Sequence, residues 1–226
     1  MLDRKTAWPT RLILGGHSFI PEMGNDPATD FDTQLAIVNT CLDSGIGCFD
    51  TTWEPERIAL GHVLQELGRR DEAQIIAWNF FADPITGKYV VGPSPYRPSD
   101  IDRMLSQLRT DRIDFLVVHP VIGEEETLQQ LEVARGWLRS GYIGTLGTWD
   151  PPATPKERFG AENAFEFMVA ARNVAQPNSE VFQSCKEFGW RTFATSPFNR
   201  GWLLDELIAV AVDQHHDSPN ALRARL

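Results

Sequence analysis

The 226-residue chain has only three cysteines, Cys41, Cys48 and Cys185, and no CxxC pair. An odd count without paired spacing argues against a disulfide framework or a zinc knot and predicts a reducing compartment. Clustered Lys and Arg are also missing: 21 basic against 31 acidic side chains leave a net charge of -10 and a pI near 4.9. Binding nucleic acid or an anionic membrane surface needs such clusters, so neither partner is expected. Nor does any apolar run approach the ~18 residues of a membrane-spanning helix. The opening MLDRKTAWPTRLILGG carries charge and proline where a signal peptide needs an apolar core. These absences predict a soluble, cytoplasmic protein.

What is present is 42% hydrophobic and 23% charged, enough to bury a large core in one α/β domain spanning 1–226. Residues 11–19 (RLILGGHSF) predict a first buried strand ending in two glycines and His17. Helical spacing of Leu35, Ala36, Val38 and Leu42 follows over 32–44, with Asp30 or Asp32 available as N-cap. The chain is organised around the next stretch, Gly45-Ile46-Gly47-Cys48-Phe49-Asp50-Thr51-Thr52, a short apolar strand that stops at a carboxylate. A helix over 56–69 comes after it, with Leu60-Gly61 near its start. Burying an unpaired charge is expensive, so an acid at the end of a buried strand is hard to explain by packing, and such strand ends are where α/β barrels keep their chemistry.

Further alternation follows: strands at 74–80, 114–119, 144–149, 165–173 and 191–197, helices at 99–108, 125–140 and 179–188. Between them, residues 81–98 form a Pro- and Gly-rich loop long enough for a binding role. Residues 203–226 read as helix, break and helix, with no eighth strand. Seven alternating strands and helices predict a parallel sheet of the TIM (β/α)8-barrel type, shortened by its last strand. No GxGxxG follows the first strand, so a doubly wound dinucleotide fold is the weaker reading.

Several stretches together resemble the aldo-keto reductases: GIGCFDTT with LGHVL, SDIDRMLSQLRTDRIDFLVVHP, RSGYI through Leu146-Gly147, and TSPFNRGWL. The resemblance runs from Arg11 to the end. It implies a barrel in which hydride passes from NADPH to a carbonyl while a Tyr, tuned by a Lys and an Asp, donates a proton beside a His. Asp50 and His119 match the family's Asp and His. The Tyr is absent from 51–59, Asn79 stands where the Lys is expected, and Trp149-Asp150 replace the Ser-Asn pair that holds the carboxamide. Arg172 replaces the stacking aromatic ring, and Val169 a Gln.

These departures predict an enzyme that works without a cofactor, by acid-base chemistry, as a lyase, dehydratase, isomerase or cyclase on a small anionic or carbonyl-bearing metabolite. Asp50 and His119 are the expected catalytic pair. His17, Trp53, Glu54, Asn79, Trp149, Asp150, Arg172 and Asn173 are the expected substrate-binding residues. NADPH-dependent reduction is the alternative, with Ser196, Asn199 and Gly201 at the pyrophosphate. A binding module without catalysis, or a metal enzyme using His17, Asp50, His119 and Asp150 or Glu54 as ligands, is also open. Exposed edges on the first and seventh strands predict a homo-oligomer.

Overall fold

The computed structural model describes residues 7–9, 11–20, 29–89, 91–160, 165–173 and 176–197. Its strands are β1 (Leu14–Gly15), β2 (Cys48–Thr51), β3 (Gln74–Trp78), β4 (Ile113–Val118), β5 (Ile143–Thr148), β6 (Phe165–Ala171) and β7 (Arg191–Thr195). All neighbouring pairs are parallel and the spatial order follows the chain, β1 to β7. Among the described residues there is no eighth strand, and β1 and β7 remain the two edges of the sheet. No described helix is long and apolar enough to cross a membrane.

Side-chain alternation along the strands divides two cores. Cys48, Ile76, Phe115, Val117, Phe167 and Val169 face inward, while Phe49, Ile75, Ala77, Leu116 and Val118 face the helices. The sheet curls: the Trp8 ring lies 5.5 Å from Phe115, 6.2 Å from Phe167 and 6.2 Å from Phe193, so one indole touches β4, β6 and β7. Each aliphatic residue wholly buried in these layers contributes about 1.5–3 kcal/mol, which is why runs such as IDFLVV in β4 are apolar on both faces.

The outer layer is α1 (Phe31–Asp43), α2 (Glu54–Leu67), α3 (Asp100–Leu108), α4 (Glu124–Ser140), α5 (Ala153–Phe159) and α6 (Ser179–Glu187). Asp30 caps α1, its carboxylate accepting from the Thr33 amide at 2.8 Å. Gly61 explains the Leu60-Gly61 signal. A Cβ there would stand 2.3 Å from the Gln107 carbonyl oxygen and 2.7 Å from the Leu108 carbonyl carbon, so α2 and α3 meet backbone to backbone.

Two elements differ from the sequence reading. The expected strand over 11–19 is strand only at Leu14–Gly15, and Gly16–Phe19 forms a 3-10 turn. The physical reason is contact: a Cβ on Gly16 would lie 2.7 Å from the Asp50 carbonyl oxygen, so the chain leaves the sheet where it touches β2. Helix α5 was not foreseen, because its PPATPKERF stretch is rich in proline. Pro152 and Pro155 fall at its N-terminal end, where a missing N–H costs nothing. The segment after 197 lies outside the described residues.

Candidate active site

Strand parity decides which predicted residues meet. Asp50 shares the inward face with Cys48, and Trp78 with Ile76. His119 and Trp149 continue the inward parity of Val117 and Gly147 just past the ends of β4 and β5. Asp50 accepts a hydrogen bond from the Trp78 indole N–H at 2.6 Å. Burial pushes the Asp50 carboxyl up to about 7; the Trp78 N–H opposes this, Glu56 adds to it, and His17 opposes it. Asp50 and His119 do not bond to each other. The Trp78 ring stands between them, 6.4 Å from the imidazole.

His119 belongs to a second cluster. Its ring stacks on Trp149 at 5.9 Å and meets the Phe80 ring edge-on at 5.4 Å. Its Nδ1 lies 2.9 Å from the Pro120 carbonyl, which places the proton on Nδ1. Burial lowers its pKa, with the Pro120 carbonyl and the charge of Asp150 opposing. Asp150 accepts from Arg158 at 3.0 Å, and burial raises its pKa against that cation.

Several expected binding residues are framework in this structure. Asn79 has the opposite parity from Trp78 and is fully buried toward the helices. It accepts from the His119 amide at 2.9 Å and donates to the His119 carbonyl at 2.9 Å, the Ser94 carbonyl and Gln130 Oε1. The strand-three side chain that reaches Asp50 is therefore Trp78. Glu54 is buried too, holding the Ala82 amide, Arg103 and Gln107. Arg57, wholly buried, donates to the carbonyls of Thr52, Trp78 and Phe80 and to Gln107 Oε1. It ties the C-terminal ends of β2 and β3 together. Trp53 donates its indole N–H to the Val91 carbonyl, anchoring the 81–98 loop over the mouth.

Arg172 is exposed and lies over the Phe182 ring at 4.5 Å, away from Asp50 and His119. Asn173 accepts from the Gln176 amide and donates to the Ser196 carbonyl at 3.0 Å. Asn199 and Gly201 lie outside the described residues. No group of three or more His, Cys, Asp or Glu side chains is gathered for a metal ion among the described residues.

The residue that sequence reasoning missed is Glu56. It is wholly buried, and one carboxylate oxygen lies 2.7 Å from His17 Nδ1 while the other accepts from the Thr52 and Trp53 amides. His17 also packs on Trp53, ring centroids 4.8 Å apart. The only available signal was an acid at the third helical position after Trp53, which reads as an ordinary capping residue.

A cavity of about 1260 Å³ opens between β1 and β7. Of the predicted residues, His17, Asp50, Arg172 and Ser196 line it. So do Arg11, Lys186 and Arg191, giving four permanent cations against one carboxylate in a chain of net charge -10. None of the four makes an ion pair among the described residues. Arg191 lies over the Trp8 ring at 4.9 Å.

No family model matches the sequence, and no curated protein matches it. Solved structures do. A Pseudomonas aeruginosa protein assigned to the aldo-keto reductases superposes with a TM-score of 0.65 at 19% identity, over 84% of this chain and 75% of that one. The aldo-keto reductase of Bacillus halodurans, in its holo form, gives 0.64 at 22%, over 84% and 63%. The aldo/keto reductase of Brucella melitensis gives 0.64 at 15%, over 92% and 75%. The expectation of a site without cofactor is corrected by these matches: the solved structures that share this architecture are aldo-keto reductases, and one of them is a holo form. The cavity's donor set fits such a group, since arginines present paired N–H donors to phosphate. The chain has the aldo-keto reductase fold.

Proposed function

We propose that this chain is an oxidoreductase of the aldo-keto reductase type that takes a nicotinamide dinucleotide in the cavity between β1 and β7 and acts on a small carbonyl compound beside Asp50. The observation that carries this reading is the set of four cations, Arg11, Arg172, Lys186 and Arg191, on the walls of a cavity that ends at Asp50 and His17. In an otherwise acidic chain, cations at one opening that pair with no carboxylate among the described residues favour an anionic ligand. Arg172, Lys186, Arg191 and Ser196 would hold the phosphates. Bound there, the dinucleotide supplies hydride.

The chain's own groups supply the rest. Asp50, with a carboxyl pushed up to about 7, carries a proton on a good fraction of molecules at neutral pH. Trp78 fixes its orientation, and Trp53, Phe80 and Trp149 keep the mouth apolar, which strengthens each polar contact made inside. His119 stays neutral near pH 7, because burial lowers its pKa, and its Nε2 is an acceptor.

Titration with NADPH and NADH, followed by tryptophan fluorescence, tests the reading. Trp8 and Trp190 line the cavity and report occupancy. Saturable quenching is expected with a Kd of roughly micromolar order. Arg172→Glu combined with Arg191→Glu is expected to weaken it about tenfold or more, an effect that shrinks as salt is raised. Absence of quenching up to ~1 mM dinucleotide would overturn the proposal.

A further inference from the structure

The His119 imidazole has little freedom to turn. Asn79 accepts from the His119 amide at 2.9 Å and donates to its carbonyl at 2.9 Å, and Gln130 donates to the same carbonyl at 3.0 Å. The ring is fixed between the face of Trp149, at an interplanar angle of 17°, and the edge of Phe80, at 85°. Its Nδ1 lies 2.9 Å from the Pro120 carbonyl, and a carbonyl only accepts, so Nδ1 carries the hydrogen. In the neutral ring Nε2 is then an acceptor with no hydrogen to give.

Nε2 makes no hydrogen bond among the described residues, whose only bond to the ring is at Nδ1. No buried polar side-chain atom among them lacks a partner, so Nε2 stands at the open surface of the mouth. Across the Trp78 ring lies Asp50, the proton carrier of the reading above, with one oxygen held by the Trp78 indole. The mouth thus has a donor at one end and an acceptor at the other.

We infer that His119 selects the substrate by accepting a hydrogen bond from a hydroxyl, so that the substrate class is a hydroxycarbonyl compound with its carbonyl beside Asp50 and its carbon chain over the Trp78 ring. This rests on the reductase reading above. A carbonyl oxygen has no hydrogen and finds no partner at Nε2, so the two ends are not interchangeable. The donor is a hydroxyl rather than an ammonium because Arg11, Arg172, Lys186 and Arg191 on the adjoining cavity repel a cation. Trp78 packs against both Phe80 and Trp149, giving one aromatic wall around the contact. A ligand lying on that wall takes water away from Nε2, and one with methyl in place of hydroxyl returns nothing for it.

Hydroxyacetone and 2-butanone, which differ only by hydroxyl for methyl, test this with NADPH. His119→Phe keeps an aromatic ring and removes the acceptor. It is expected to lower kcat/KM for hydroxyacetone about tenfold more than for 2-butanone. An equal change for both ketones is what a general structural or proton-transfer role would give, and it would overturn the inference.

A second arm needs no turnover. Nitrogen-15 NMR of dinucleotide-free protein is expected to show His119 as the Nδ1–H tautomer. Its Nε2 resonance is expected to move on titration with hydroxyacetone and to stay in place with 2-butanone. An Nε2–H tautomer, or the same response to both ketones, would overturn the inference. Binding of NADPH without reduction of hydroxyacetone would also overturn it and leave the reductase reading standing. If the wild type binds no NADPH, the reductase reading falls, and the NMR arm alone decides the role of His119.

Discussion

The Trp78 indole N–H sits 2.6 Å from the Asp50 carboxylate, so a group that is acceptor-only when ionised is met by a group that only donates. That bond favours the charged carboxylate against the burial that raises its pKa to about 7. Trp78→Phe keeps most of the ring volume and removes the donor. The Asp50 carboxyl is expected to titrate at higher pH in this variant, read by carbon-13 NMR of the side chain; an unchanged midpoint would show that the bond does not influence it.

Asp50 also makes stability depend on pH in a definite direction. A native pKa near 7 against 3.8 in the unfolded chain means that the native state holds the extra proton between those values, so stability falls as pH rises through that window. Asp50→Asn cannot titrate. It is therefore expected to gain on the wild type as pH rises from about 4 to about 7 and to hold that gain above, in urea unfolding at several pH values. A difference that stays flat with pH would contradict the raised pKa.

Arg57 is a buried cation bonded to carbonyls from the ends of two strands. Burial lowers its pKa to about 10, still above neutrality, so the charge remains in place at pH 7. Arg57→Met leaves the Thr52, Trp78 and Phe80 carbonyls without this donor and is expected to cost about 3 kcal/mol or more of unfolding free energy. A loss under ~1 kcal/mol would mean that water replaces the guanidinium readily.

Asn79 brackets the main chain of His119 with one acceptor and one donor. Asn79→Ala is expected to lose about 1–3 kcal/mol. Asn79→Asp is expected to lose more at pH 7, because the new carboxylate faces the Ser94 and His119 carbonyls. Acidification restores an O–H donor, so the gap between the two variants should close at low pH in thermal melts. Equal loss at all pH values would argue against the donor role.

Much of the architecture could be read from single residues. A run such as IDFLVV, bounded by turn residues, reads as a strand covered on both sides, and CFDT reads as a strand that closes beside Asp50; both are strands here. What could not be read was partnership across distance. Asn79 and Trp78 are adjacent in the chain, yet parity sends one to the helices and the other to Asp50, and a one-residue difference in strand end decides which. His17 and Glu56 are 39 residues apart and meet only because Gly16 lets the end of β1 touch β2. The resemblance puts Arg172 toward the lumen beside Asp50, whereas it follows Ala171 out of β6 and lies over the Phe182 ring, on the α6 side of the cavity.

Trp8 rests on phenylalanines from three strands while Pro9 and Arg11 beside it line the cavity. The amino-terminal arm is thus floor and wall at once. A ligand that binds more tightly when the arm is seated also steadies the arm, and by reciprocity a change that loosens Trp8 from its three rings weakens that ligand by the same factor.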